Sequence, residues 1–271
     1  MPYELNFVDG SRSIRLWNAR ETERNVSGEM NAQDIYYSGS DETLISDFES
    51  KEEGSVVGVA SANRLSNQSE YSNDRVTALG EFVQRLMTAC APKQGTGWEL
   101  TDPSRGDTIN LYVENVQWQR NEADRYQVQY SFDWKRGRGM GSGELPSPGP
   151  VNPQSTATLD GVDLGALQSW SEKRKQDLDV YALALEDLSE NTVRATGGVV
   201  RRINIRGRPT DTRNDIESLA ESLKGSDQTV TYQSAFPGEE VEVALESYDS
   251  TREQQWTEMG EFGMQLVEGT A

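Results

Sequence analysis

Carboxylates are the only plentiful acid–base groups in this 271-residue chain. It carries 45 Asp and Glu against 26 Lys and Arg, no histidine and one cysteine, Cys90. Without histidine there is no His-centred triad and no His metal site, and a lone cysteine makes no intrachain disulfide. A glycosidase needs two carboxyls about 5–10 Å apart in a cleft, and nothing in the spacing marks such a pair. The acidic pairs Asp41-Glu42, Glu52-Glu53 and Glu239-Glu240 lack an Asp-x-Asp-x-Asp-Gly loop ending in glutamate, so they read as surface rather than as Ca²⁺ ligands. The glycine-rich run Gly137–Gly143 has no Gly-Lys-Ser/Thr ending and opens no helix, so it reads as linker rather than as a phosphate loop. The basic tract Lys135-Arg136-Gly137-Arg138 reads as a solvated strand end. Trp17, Trp98, Trp118, Trp134, Trp170 and Trp256 are scattered along the chain, and packing is their default role. Their functional alternative is a sugar-stacking platform. The expectation is a protein that is not an enzyme and holds no cofactor or metal.

Charge says more than its total of −19. There are 20 Arg and only 6 Lys. Acid-rich, lysine-poor chains suit a high-salt cytoplasm. Carboxylates hold water and hydrated cations there, and molar salt screens their repulsion within about 3 Å. Arginine is retained because it is less strongly hydrated than lysine and pairs bidentately with carboxylates. This balance argues against a basic nucleic-acid-binding domain. No run of about 18 apolar residues is present, so no membrane insertion is expected. Met1 to Phe7 carries no basic stretch leading into an apolar core, the mark of a secretory signal.

The elements that must position these residues fall into two sets. Residues 137–157 are dense in Gly, Pro and Ser without apolar periodicity, which is linker composition. They divide the chain into residues 1–136 and 158–271. In the first part, Ser55–Ala60 reads as a strand, and Asn73-Asp74 caps a helix running to about Ala89. That helix has a stripe of Val76, Leu79, Phe82, Val83, Leu86 and Met87. Gly97–Leu100, Thr108–Val116 and Arg125–Trp134 then read as strands, the last with an apolar residue at every second position. The second part repeats the order. Gly198–Arg206 is a strand, Asn214-Asp215 a helix start with Ile216, Leu219 and Leu223, and three strands follow near Thr229–Tyr232, Glu240–Glu246 and Glu261–Val267. Upstream, Tyr3–Phe7 and Ser13–Trp17 make a hairpin, and Asp160-Gly161 supplies a comparable turn. Two polar stretches, 18–52 and 169–196, read as arms that mediate subunit contact or decorate the surface.

A tandem pair of small units, each a twisted antiparallel sheet or partial barrel flanked by one helix, resembles the tail-tube fold of tailed viruses. The segment Leu159-Asp160-Gly161-Val162-Asp163-Leu164-Gly165 also resembles the opening strand-turn of distal-tail proteins. The fold class implied is α+β and β-rich. The resemblance implies a structural virion protein, a baseplate hub or distal tail protein of a haloarchaeal virus. It would be made in the host cytoplasm and placed in the virion tail or baseplate. Its partners would be itself, as a closed ring, and other tail and baseplate proteins, with DNA only in passage through the channel. A trimer with pseudo-six-fold symmetry is favoured over a hexamer. The alternatives are a hexameric tail-tube or tube-initiator protein and, from another class, a halophilic surface- or carbohydrate-binding module. In the strand near Val199–Arg208, alternation places Val199, Arg201, Ile203 and Ile205 on one face and Asn204 with Arg202, Arg206 and Arg208 on the other. The three arginines are candidate subunit-interface residues seeking carboxylates; the bland alternative is a solvated face with local ion pairs.

Overall fold

The computed structural model describes residues 3–7, 10, 12–37, 40–90, 97–102, 106–139, 147–181, 192–195, 199–208, 213–226, 228–252 and 260–268. The strands of the first part are β1 (Tyr3–Phe7), β2 (Ser13–Leu16), β3 (Arg20–Tyr37), β4 (Ser40–Ser61), β5 (Trp98–Asp102), β6 (Asp107–Asn121) and β7 (Gln127–Arg136). After β8 (Arg138–Gly139), β9 (Thr158–Leu159), β10 (Val162–Asp163) and β11 (Ala166–Lys175) come β12 (Leu178–Tyr181) and β13 (Thr192–Ala195). The chain closes with β14 (Val200–Arg208), β15 (Val230–Gln233), β16 (Glu240–Arg252) and β17 (Gly260–Glu268). The helices are α1 (Ala62–Leu65), α2 (Arg75–Met87) and α3 (Arg213–Leu223).

Fourteen strands form one antiparallel sheet, and a small second sheet has the order β12-β13-β8. The first part contributes the order β2-β1-β5-β6-β7-β4-β3, and the second part β10-β9-β15-β16-β17-β14-β11. Ranked within its own part, each order is the same. Registers agree as well. Trp98 pairs with Leu111 and Leu111 with Arg136; Val230 pairs with Val243 and Val243 with Glu268. Each position is 132 residues on from its counterpart. The second-last strand of each part bulges at one place, at Glu114 in β6 and Glu246 in β16.

Period 2 explains most of this. β14 alternates buried and exposed residues throughout, and β7 buries Val128, Tyr130, Phe132 and Trp134. One hydrophobic cluster gathers around α2, where Leu79, Phe82, Val83 and Leu86 meet Leu5, Ile14, Leu111 and Phe132. A second gathers Ile216 and Leu223 of α3 with Ile203, Ile205, Tyr232 and Leu266. Each helix therefore covers the apolar face of its own run of strands. Between β9 and β10, Asp160 and Gly161 both have positive φ, as a two-residue hairpin turn of this hand requires.

The Asn73-Asp74 cap resolves onto Asp74, whose carboxylate accepts from the backbone N–H (2.9 Å) and hydroxyl (2.8 Å) of Thr77. Those bonds hold its pKa below the usual carboxylate value. Asp74→Ala is expected to lower stability by about 1 kcal/mol, read as a fall in thermal midpoint. Asn214-Asp215 lies inside the first turn of α3 rather than before it.

Two expectations need correction. Residues 169–196 are not an arm throughout: 169–175 belong to β11, in the interior of the large sheet. The linker is not free along its length either. Residues 140–146 and Trp256 lie outside the described residues, but 147–157 pack against the second part. Asn152 N–H donates to the Pro237 carbonyl and Gln154 N–H to that of Ala235, both at 2.9 Å. The 18–52 stretch is a long hairpin, β3 pairing β4 from Arg20↔Val57 to Tyr37↔Ser40; the side chains of Asp41 and Glu42 at its far end lie outside the described residues.

Candidate assembly interface

The two parts meet strand to strand. One edge of β6 is shared end to end: β5 covers Asp107 to Leu111, and β11 covers Asn115 to Asn121, from Lys175↔Asn115 to Ser169↔Asn121. The gap is sealed by Gln176, which is buried. Its N–H donates to the Glu114 carbonyl (2.9 Å) and its side-chain amide to that of Val113 (2.7 Å). Cys90 is buried against the same Glu114 carbonyl, and burial pushes its thiol up to about 12.

Beneath this seam the loop after β15 crosses into the first part. Phe236 joins the hydrophobic cluster around α2, edge-on to Trp118 with ring centroids 5.6 Å apart. The Arg120 guanidinium lies over the rings of Phe236 (4.2 Å) and Trp170 (5.2 Å) and donates to the Arg125 carbonyl. Burial, with the nearby charge of Arg125, pushes Arg120 down to about 10. Cation–π contacts of a desolvated arginine contribute about 2 kcal/mol. The loop is shaped by Gly238, which has φ +92°; a Cβ there would overlap the Asn152 carbonyl, so only glycine fits.

At the seam lies a buried ionic cluster. Arg201 is 3% exposed and contacts Glu172, Glu239 (2.6 Å) and Glu268 (3.6 Å). Gln84 of α2 donates to Glu239 across the seam at 3.0 Å. Burial alone would lower the Arg201 pKa, but the charges of Glu172 and Glu239 more than reverse it, and the group stays protonated. Burial likewise opposes ionisation of Glu239, and Arg201 and Gln84 together hold its pKa below the ordinary glutamate value of 4.5. Its contribution to stability is therefore complete above about pH 4.5 and is lost as pH falls through the lower folded-state value.

The first part holds the same arrangement with signs reversed. Gly58 and Gly207 each lie under an aromatic ring of the neighbouring strand, Tyr130 and Phe262, themselves 132 residues apart. Aligning β4 and β14 on these glycines sets Glu52 on Arg201, Arg24 on Glu172 and Arg136 on Glu268. Glu52 is 2% exposed and pairs with Arg24 and with Arg136 (2.6 Å).

Several sequence-level readings are thus revised. Glu52 and Glu239 are not surface acids. Lys135 and Arg136 are not a solvated strand end: Lys135 pairs with Glu114 at 2.8 Å and donates to the Leu178 carbonyl at 2.9 Å. The alternation of β14 holds, with Arg202, Arg206 and Arg208 exposed. Arg202 pairs with Glu246 of β16 (3.1 Å), and Arg208 with Glu261 of β17 (2.7 Å). Hydrogen bonds from Arg208 and Gln168 hold Glu261 below its usual pKa. Arg206 stands opposite Gly263. Because β14 is an interior strand, these three side chains act through a sheet face and not through an edge. Exposed pairs of this kind are screened and add little to stability.

Arg201 had a signal in the sequence, a charge in an otherwise apolar alternation. Phe236 and Glu172 had none, one lying in a loop and the other in a stretch read as an arm. The chain matches no family model and no curated protein.

Proposed function

We propose that this chain is a structural virion protein of tail-tube type, built from two tandem copies of one unit. It would serve as a baseplate-hub or distal-tail component of a virus with a high-salt host, and would do mechanical rather than catalytic work. Three chains would close a ring of six units that continues the DNA-conducting channel. The observation that carries this reading is the repetition of strand order, register and bulge in the two parts, together with their edge-to-edge union into one sheet. A unit that joins a copy of itself by strand pairing inside one chain can join further copies the same way.

The sheet face opposite the helices supports the same reading. Gln117, Gln119, Gln129, Ser131, Asn204 and Gln265 point to it, none of them buried. Arg202, Arg206 and Arg208 share this face, with Arg202 and Arg208 tied to Glu246 and Glu261. Amides, hydroxyls and paired charges give a wet wall with few of the counterion-releasing phosphate contacts that make DNA stick. A carbohydrate-binding module draws less support: the five described tryptophans are buried or half-buried, and a stacking platform needs an exposed ring.

Antibody raised against the purified chain and applied to virus particles tests the proposal. Label at the tail tip is the expected result. Label along the whole tail favours the hexameric tube protein, and the absence of virion label overturns the assignment.

A further inference from the structure

Each part has one half-edge that the other part uses. In the first, it is the C-terminal half of β6; in the second, it is the outer edge of β11. The counterparts of both are without a strand partner among the described residues. Among the described residues, β16 pairs β15 only over Glu240–Val243, so no strand is paired along that edge of 244–252, and β3 pairs only β4. Uncovered edges of this length are templates for pairing with another chain.

We infer that β16 of one chain pairs antiparallel with β3 of a second copy, repeating the β6–β11 joint. This deepens the ring proposal and rests on the two parts being copies of one unit. The register follows from the alignment already given. The bulges set Tyr248 on Val116 and Asp249 on Gln117; the glycines set Val26 on Arg174 and Asn25 on Lys173. Since Arg174 faces Val116 and Lys173 faces Gln117 in the inner joint, Val26 faces Tyr248 and Asn25 faces Asp249 in the outer one. Val26 is 63% exposed, the most exposed large apolar residue described, and this pairing covers it.

The two joints differ in chemistry. Where the inner joint has Trp118, the outer one has Ser250, and the aromatic loop residue Phe236 corresponds to Ser104, outside the described residues. The outer joint therefore lacks the aromatic insertion and depends on strand pairing between chains that each carry a net charge of −19, so it strengthens with salt as their repulsion is screened. Heterologous joints of this kind close into rings or run on as filaments.

The test is disulfide trapping of the full chain at multimolar KCl, with Asn25→Cys and Asp249→Cys combined in one protein; Cys90 is buried and stays inert. Facing positions of an antiparallel pair are within reach of a disulfide. Under mild oxidant the double variant is expected to give reducible intermolecular species that neither single variant gives, increasing with salt. A ladder ending at a fixed size supports the edge assignment and the ring together. A ladder without a ceiling supports the edge assignment and overturns the ring. Rings seen in micrographs without trapped species overturn the edge assignment and leave the ring. Monomers without trapped species overturn both.

Discussion

Replacing Arg201 with methionine is expected to cost about 3–5 kcal/mol of unfolding free energy at neutral pH, the typical loss when one partner of a buried ion pair is removed. The change leaves Glu239 desolvated with only the Gln84 amide as a hydrogen-bond partner and Glu172 with only the more distant Arg174, at 3.8 Å. The deficit carries a pH signature that a simple packing defect would not. Wild type loses stability as acid protonates Glu239, whose folded pKa lies below the ordinary value. In the variant, burial acts on Glu239 unopposed by the arginine and it takes up a proton at higher pH, which relieves the unpaired charge. The gap between the two proteins in urea melts should therefore narrow from pH 7 towards pH 4. A loss under 1 kcal/mol, or one independent of pH, would contradict the assigned role of the cluster.

Phe236→Ala is expected to cost about 3–5 kcal/mol, the range for truncating a buried aromatic. The ring fills the space beneath Arg120 and beside Trp118 and is 2% exposed. Its loss removes the contact that carries the second part into the core of the first, so the two parts should lose their common transition. Calorimetry is expected to show one unfolding event for wild type and two for the variant. A single transition at an unchanged midpoint would mean that the strand seam alone unites the parts.

Most strands and both long helices were legible because period 2 and the i, i+3, i+4 stripe survive in a composition that is only 34% apolar. The repeat order was legible for the same reason. β11 was not: of its inward positions Trp170, Glu172 and Arg174, the last two are charged, and they pack only through partners distant in sequence, Arg201 of β14 and the strand β6. A strand whose burial comes from a non-local partner leaves no alternation to read. The seam was invisible on the same grounds: the pairing of 115–121 with 169–175 is a fact of tertiary structure. Arg202, Arg206 and Arg208 drew attention because three like charges on one strand face are conspicuous, whereas Arg201, the arginine that is buried at the seam, looked like a flaw in an apolar face.

The central claim is that a unit which joins its own copy within the chain joins further copies between chains into a ring. The mass of the purified protein in multimolar KCl, measured by sedimentation across a concentration series, tests it most directly. A closed species of three 30.2-kDa chains is the expected result. A 30.2-kDa monomer at every concentration and salt would contradict it.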